Sequence, residues 1–152
     1  LKQLVGQSVQ VKEDIVEQDP FEHGIRKALN LGHTVGHAFE SMALAEDRPV
    51  LHGYAVAWGI VCELYLSHLK VDFPKEKMRQ TIQFIKYNYG VFTFDCKKYD
   101  QLYAFMTHDK KNTSGTINFT LLKDIGDICI NQTANQDTIF EMLDFYRECM
   151  GI

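Results

Sequence analysis

An arginine, an asparagine and two histidines recur at helical spacing in RKALNLGHTVGHAFESM, residues 26–42. Arg26, Asn30, His33 and His37 follow one another at steps of four, three and four residues. On one continuous helix, at about 100° per residue, these side chains would fall within roughly 60° of one another. The spacing therefore predicts a helix with a narrow polar stripe whose side chains could bind a metal or an anion.

The histidines of this segment predict a metal site. His33 and His37 are i, i+4 neighbours, so both imidazoles could reach one ion. A catalytic zinc site normally has three protein ligands and one open position. His52 is the third candidate, because it starts the next predicted helix and a two-helix hairpin would bring it beside the first. A helix N-terminus also disfavours a protonated imidazole, which leaves His52 able to bind a metal. Gly32 and Gly36, on another side of the first helix, would let a neighbouring helix or a ligand come close.

Other residues could bind an anion. Arg26 offers a bidentate fork for a carboxylate or phosphate, and the Asn30 amide can donate or accept. Glu22 lies one turn earlier and could hold Arg26 or orient a ligand. Downstream, Lys110 and Lys111 end another helical pattern and could close over an anion. These positions predict recognition of an anionic small molecule.

Each of these features also has a simpler interpretation. An HxxxH pair is often two core or surface imidazoles, and His52 could be only a helix cap. Glu22 and Arg26 could form a plain surface pair worth roughly a few tenths of a kcal/mol. Lys110 and Lys111 could be a solvated helix end. The conjunction of the polar stripe with a His-Gly start to the next helix favours a functional site.

The remaining patterns predict one mainly helical domain. Pro74 and Gly90 bracket an amphipathic helix, which is the usual asymmetry of helix ends. Alternation in TINFTLL and DICIN, joined by DIGD, predicts a β-hairpin. The predicted helices cover residues 1–17, 25–44, 52–69, 74–90, 97–112 and 137–149, and the predicted strands cover 116–122 and 127–131.

Composition argues against several classes of protein. The chain of 152 residues has a formal net charge of −4, which disfavours a general nucleic-acid binder. Its four cysteines are scattered without a CxxC pair, so we expect reduced core residues and no disulfide framework. No stretch reaches the roughly 18 apolar residues of a membrane span, and no secretory signal is recognised in these residues. A cytoplasmic domain is expected.

The motifs of the chain resemble those of the 3-dehydroquinate synthase family. The pattern R-x2-LN-x-GHT-x-GHA-x-E spans residues 26–40, and LHG-x-AVA-x-G spans residues 51–59. DKKN-x2-G-x4-TLL spans residues 109–122, and Lys12 and Glu22 stand at family spacing. The resemblance thus covers most of the chain.

The resemblance implies a lyase of the shikimate pathway, which supplies aromatic amino acid biosynthesis. Such an enzyme converts the seven-carbon sugar acid phosphate DAHP to 3-dehydroquinate and phosphate. The family uses NAD transiently to oxidise a ring hydroxyl, eliminates phosphate, reduces the carbonyl again, and then opens the ring and closes the carbocycle by an aldol step. A divalent metal, zinc or cobalt, is expected to hold the substrate hydroxyls. A homodimer is expected for the full-length protein.

The same resemblance implies roles for individual residues. His33 and His52 match the two histidine metal ligands, and His37 matches an active-site histidine suited to proton transfer. Glu22 matches an active-site acid that works through water or by supporting its neighbours. The groups that hold the substrate's carboxylate and phosphate are matched by Lys12, Arg26, Asn30 and one lysine of the pair Lys110 and Lys111.

The chain departs from the family pattern in two ways. The third metal ligand of the family is a Glu in an AE-x-x-K motif upstream of these residues, and the NAD-binding α/β domain is absent from this chain as well. We therefore expect residues 1–152 to be the mainly α C-terminal domain of the dehydroquinate synthase-like fold, with one small β-hairpin, binding metal and substrate. The isolated chain is expected to be inactive. Many members also read HGE where this chain has His52-Gly53-Tyr54.

Other functions share parts of these patterns. Metal-dependent polyol dehydrogenases of the glycerol dehydrogenase type also carry an HG-x-x-VA-x-G helix, but they do not need Arg26, Asn30 and the DKK segment for a carboxylate and a phosphate. Other sugar phosphate cyclases act on different sugars, and the intact GHT-x-GHA run favours the synthase. The remaining alternative is a non-catalytic helical module with vestigial site residues.

Overall fold

The computed structural model describes residues 31–107, 117–124 and 127–152. In these residues the chain forms five α-helices and one antiparallel pair of strands, so the prediction of a mainly helical fold with one β-hairpin is confirmed. The elements are α1 His33–Ala45, α2 His52–Val71, α3 Lys75–Tyr89, a 3₁₀ turn Cys96–Lys98, α4 Tyr99–Thr107, β1 Ile117–Asp124, β2 Asp127–Ala134 and α5 Gln136–Met150.

The first helix begins later than its sequence pattern predicts. α1 starts at His33, directly after Gly32, whose φ of 82° lies in the left-handed region. A residue in that conformation does not continue a right-handed helix. The prediction of one helix over residues 25–44 is therefore wrong at residues 31–32. The predicted polar stripe assumed one unbroken helix, which the left-handed Gly32 interrupts, and Arg26 and Asn30 themselves lie outside the described residues.

α1 and α2 pack against each other at glycines, and this close contact brings their histidines together. A Cβ at Gly59 of α2 would lie 2.1 Å from the Gly32 carbonyl oxygen and 2.6 Å from the Gly36 nitrogen. A Cβ at Gly36 would lie 3.0 Å from the Ala55 carbonyl oxygen. Backbones can approach this closely only where no side chain intervenes. The expected role of Gly32 and Gly36 in helix packing is thus confirmed.

An aromatic cluster holds α1 on the core. Phe39 of α1 is fully buried, and its ring centroid lies 5.1 Å from that of Phe92, 5.5 Å from that of Phe94 and 5.3 Å from that of Tyr146. The Tyr146 hydroxyl donates to the Phe92 carbonyl oxygen at 3.0 Å and accepts from the Phe92 nitrogen at 3.1 Å. Burial raises the pKa of Tyr146, which keeps the hydroxyl able to do both. α5 is thereby tied to the segment after α3.

The loop between α1 and α2 is fixed by one arginine. The Arg48 guanidinium donates to the Thr93 carbonyl oxygen at 2.6 Å and to Glu46 at 2.9 Å, and it lies 4.4 Å from the centre of the Phe92 ring. The hydrogen bond from Arg48 lowers the pKa of Glu46. These contacts determine where α2 begins, and therefore where His52 stands.

The β-hairpin packs on α2. Ile117, Phe119 and Leu121 are buried as predicted, but Thr120 is buried as well, where the ladder shifts register between Phe119 and Leu121, so the predicted alternation is wrong at Thr120. The buried Ser67 hydroxyl of α2 accepts a hydrogen bond from the Leu122 nitrogen at 3.0 Å, which joins the hairpin to the helix. The Cα partners in the ladder are Ile117–Ala134, Asn118–Thr133, Phe119–Gln132, Leu121–Cys129, Leu122–Ile128 and Asp124–Asp127.

Most other elements agree with the sequence patterns. α2, α3 and α5 are confirmed with small changes at their ends, and α4 is confirmed over Tyr99–Thr107. The predicted helix over residues 1–17 and the end of the predicted helix over 97–112 lie outside the described residues. All four cysteines are free thiols, as expected, but only Cys62 is fully buried, and the expected core position is wrong for Cys96, which is exposed. Among the described helices, none is long and apolar enough to cross a membrane.

Candidate metal centre

Three imidazoles meet where α1 and α2 begin, and we call them the histidine cluster: His33, His37 and His52. His33 is the first residue of α1, His37 lies one turn later, and His52 is the first residue of α2. Their ring centroids are 5.6 Å apart for His33–His37, 5.6 Å for His33–His52 and 5.8 Å for His37–His52. The expectation that a helix hairpin brings His52 beside the first helix is therefore confirmed.

Two of the three rings have a defined proton position. The Nδ1 atom of His33 lies 3.2 Å from the Leu31 carbonyl oxygen. A carbonyl can only accept, so Nδ1 carries the proton and the lone pair of the neutral ring is on Nε2. His52 Nδ1 lies 3.2 Å from a carboxylate oxygen of Glu40, which fixes the same tautomer. Within the described ranges, no protein acceptor is hydrogen-bonded to the ring of His37.

Glu40 adds a carboxylate to the cluster. One oxygen of Glu40 and one nitrogen each of His37 and His52 lie within 4.8 Å of one another. Two imidazoles and one carboxylate form a donor set that binds zinc in proteins. In the sequence Glu40 stands out only as the end of a motif, although its i, i+3 spacing from His37 indicates that the two side chains share one face of α1. Two ligand sets are thus possible, one with His33 and His52 and one with His37, Glu40 and His52.

The cluster is open to solvent on the part of the chain that the structure describes. The His52 side chain is 55% exposed and the Glu40 side chain is 36% exposed. His37 is exposed and His33 is half-buried. A small ligand can therefore reach the imidazole nitrogens without any opening of the core.

A second carboxylate, Glu63 of α2, lies behind the cluster and is fully buried. Its Oε1 accepts from the Gly32 nitrogen at 2.9 Å and its Oε2 accepts from the Val35 nitrogen at 3.2 Å. Gly32 has no side chain to cap α1, so Glu63 supplies the cap from another helix. The N-terminus of α1 is consequently occupied by the protein's own anion. The signal that sequence reasoning missed is a single acid inside the apolar run GIVCELYL.

The remaining predicted site residues cannot be located in this structure. Lys12, Glu22, Arg26, Asn30, Lys110 and Lys111 all lie outside the described residues, and their roles stay predictions. Tyr54, which stands where many family members have Glu, is described. Its ring packs edge-to-face against Trp58 at 6.2 Å and Tyr89 at 5.1 Å.

The fold is that of known synthases. One solved structure, 2-deoxy-scyllo-inosose synthase complexed with carbaglucose-6-phosphate, NAD+ and Co2+, superposes with a TM-score of 0.66 at 21% identity, over 86% of this chain and 36% of that chain. A second structure of 2-deoxy-scyllo-inosose synthase gives a TM-score of 0.58 at 18% identity, over 76% of this chain and 31% of that one. This likeness concerns the fold alone. The described helices and hairpin thus place the chain in the fold class of these two synthases.

Sequence comparisons identify the family within that class. The family model described as 3-dehydroquinate synthase C-terminal matches residues 1–112. A 3-dehydroquinate synthase of Parabacteroides distasonis is 62% identical over 152 residues, which is 100% of this chain and 43% of that protein. One of Leptospira interrogans is 41% identical over 140 residues, 91% of this chain and 38% of that protein. The chain belongs to the 3-dehydroquinate synthase family, as its motifs predicted, and spans about two fifths of the length of these curated relatives.

Proposed function

We propose that this chain is the metal- and substrate-binding part of a 3-dehydroquinate synthase, a lyase that converts DAHP to 3-dehydroquinate and phosphate. The observation that carries the proposal is the alignment of the whole chain, at 62% identity, with a protein of that name. We further propose that the complete protein is a cytoplasmic homodimer, and that NAD binds mainly to the part of it that precedes these residues.

The histidine cluster fits a divalent metal, and we assign His33 and His52 as its ligands in this chain. Metal-bound histidines usually donate their other ring nitrogen to a carbonyl or a carboxylate. His33 does so to Leu31 and His52 does so to Glu40, so both present Nε2. The third ligand would be the upstream Glu that the family resemblance implies. Zinc suits two nitrogens and one carboxylate, and cobalt accepts the same donors. When bound, the metal polarises oxygen atoms of the substrate.

His37 is the proposed proton-transfer group. Its ring lies 5.6 Å from that of His33 and 5.8 Å from that of His52, beside the assigned ligands. It is exposed, so it can take a proton from a substrate hydroxyl and return it. Glu22 would support this transfer, as the resemblance implies.

Basic and amide side chains are proposed to bind the anionic groups of the substrate. A helix N-terminus often does this, but Glu63 already fills the N-terminus of α1. The substrate's carboxylate and phosphate therefore need other partners. The residues proposed for this role are Lys12, Arg26, Asn30 and one of Lys110 and Lys111.

The carboxylate of Glu40 is expected to strengthen metal binding through His52. Glu40→Ala removes the acceptor for His52 Nδ1–H, and loss of such a partner lowers metal affinity by roughly 10- to 100-fold. Glu40→Gln keeps a neutral acceptor and should lose less. Zinc affinity can be measured by competition with a chromophoric chelator. Glu76→Ala, which removes an exposed acid on α3, is the matched control and should have no effect. Equal losses of zinc affinity in Glu40→Gln and Glu40→Ala would instead indicate that Glu40 binds the metal directly.

The proposed reaction is tested by phosphate release. The protein as its gene encodes it is incubated with DAHP, NAD+ and zinc or cobalt, and free phosphate is followed over time. We expect phosphate release without net formation of NADH, because the family's reaction reduces the carbonyl that it first oxidises. Glucose 6-phosphate, the natural counterpart of the carba analogue in the structural neighbour, should release none.

Two outcomes would overturn this proposal. Formation of NADH from glycerol, with no turnover of DAHP, would support the polyol dehydrogenase alternative. No turnover of either substrate by the complete, metal-loaded protein would support a non-catalytic module. The 152-residue chain alone is expected to release no phosphate in the same assay, because the family resemblance implies that the NAD site and the third metal ligand belong to other residues.

A further inference from the structure

One peptide unit connects the buried carboxylate of Glu63 to the ring of His33. The Leu31–Gly32 peptide supplies the N–H that donates to Glu63 Oε1 at 2.9 Å. The carbonyl of the same peptide accepts from His33 Nδ1 at 3.2 Å. The N–H and C=O groups of a trans peptide are coplanar and point to opposite sides. Glu63 and His33 are therefore hydrogen-bonded to opposite edges of the same rigid peptide plane.

The position of this plane is strongly constrained. Glu63 is fully buried and also accepts from the Val35 nitrogen at 3.2 Å, so it contacts the first turn of α1 at two points. Gly59 stands one turn before Glu63 on α2, and its missing side chain leaves room for the Gly32 carbonyl oxygen. The peptide therefore cannot rotate without breaking buried hydrogen bonds, each of which is costly to leave unmade.

The hydrogen bond between the Gly32 N–H and Glu63 also affects the carbonyl of the same peptide. A hydrogen bond from the N–H of an amide to a carboxylate polarises that amide, and chains of hydrogen bonds strengthen one another in a low-dielectric interior. The Leu31 oxygen thus becomes a better acceptor for His33 Nδ1–H. Donation from Nδ1 leaves the lone pair of the neutral ring on Nε2.

We propose that Glu63 is a positioning residue that sets the tautomer and the orientation of His33 through the Leu31–Gly32 peptide. This inference rests on the proposed role of His33 as a metal ligand. Glu63 then orients the His33 ring through the intervening peptide group, whereas Glu40 orients the His52 ring by a direct hydrogen bond. Both imidazoles are supported by a carboxylate, one exposed and one buried.

The experiment compares Glu63→Gln with wild type and with Val35→Ala in the protein as its gene encodes it. Glu63→Gln keeps the shape but replaces one acceptor oxygen with an NH2 group that cannot accept from a backbone N–H. Val35→Ala trims a fully buried side chain of α1 and leaves the backbone bond to Glu63 in place, so it controls for lost stability. The first readout is the 15N shifts of the metal-free protein, with His33→Gln used to assign the His33 ring. The second is zinc affinity.

We expect the His33 proton on Nδ1 in wild type and in Val35→Ala, and a mixture of tautomers in Glu63→Gln. Zinc affinity should fall about tenfold or more in Glu63→Gln and stay at the wild-type value in Val35→Ala. If Glu63→Gln is less stable than wild type but keeps the wild-type His33 tautomer and zinc affinity, then Glu63 only caps α1. If Glu63→Gln does not fold, wild type alone still tests the inference, since a proton on Nε2 of His33 overturns it. A defined Nδ1–H tautomer without any zinc binding would instead count against the proposed function.

Discussion

Replacing Gly59 with alanine is expected to destabilise the domain by about 3 kcal/mol and to separate α1 from α2. The new Cβ would lie 2.1 Å from the Gly32 carbonyl oxygen and 2.6 Å from the Gly36 nitrogen. Both atoms belong to the backbone of α1, so no side chain can rotate away to relieve the clash. The helices must move apart, and Glu63, one turn further along α2, would lose its hold on the Gly32 and Val35 nitrogens.

Gly53 provides the matched control, since it lies in the same helix. A Cβ there would meet nothing within 4 Å, so Gly53→Ala should be neutral or stabilise the fold by up to about 1 kcal/mol through helix propensity. Urea unfolding followed by the fluorescence of buried Trp58, the single tryptophan, measures both variants. Equal free energies of unfolding for the two variants would show that the glycine contact tolerates a methyl group.

The sequence predicts most of the fold because its helices carry clear end signals. α3 is bounded by Pro74 and Gly90, and α5 begins after Asn135, whose side chain accepts from the Thr138 nitrogen. The hairpin follows from an alternation that holds for the buried Ile117, Phe119 and Leu121 and is interrupted only by the buried Thr120. In these segments local preference and tertiary packing agree, which is why pattern alone is sufficient.

The start of α1 shows where pattern fails. The apolar and polar periods of LNLGHTVGHAFE continue smoothly across Gly32, so the sequence predicts an unbroken helix. The left-handed φ of Gly32 arises together with tertiary contacts: a Cβ there would lie 2.6 Å from the Ile60 side chain and 2.9 Å from the Val56 carbonyl oxygen. Those partners lie on α2, and one-dimensional spacing does not report them.

The candidate site, like the fold, was predictable where its signals are local in the sequence. The histidine cluster follows from one i, i+4 pair and one helix start, both of which are local signals. The contacts behind the rings are not local: Glu63 reaches back 31 residues to the Gly32 nitrogen, and Glu40 reaches forward 12 residues to His52. A lone acid in an apolar helix indicates a buried charge. Its partner becomes visible only when the two helices are packed.

Alanine substitutions of the three histidines should separate the two possible ligand sets. The rings are nearly equivalent by distance, but only His33 and His52 donate Nδ1–H to an acceptor of the described residues. We therefore expect His33→Ala and His52→Ala each to lower zinc affinity by about 100-fold or more, since loss of an outer partner alone costs 10- to 100-fold. Phosphate release from DAHP should fall to background in both variants.

His37→Ala is the decisive variant. If His37 transfers a proton, zinc affinity should stay at the wild-type value while kcat falls by roughly 10²- to 10⁴-fold, and the pH profile of kcat should lose one limb. If His37, Glu40 and His52 hold the metal instead, His37→Ala should lose zinc and His33→Ala should keep it, because the donor atoms of that set lie within 4.8 Å without His33. The measurement is zinc affinity and kcat on the same samples, with far-UV circular dichroism to verify folding. Because His37 and His52 are both exposed, their replacement removes little packing, and any loss of metal reports on ligation rather than on stability.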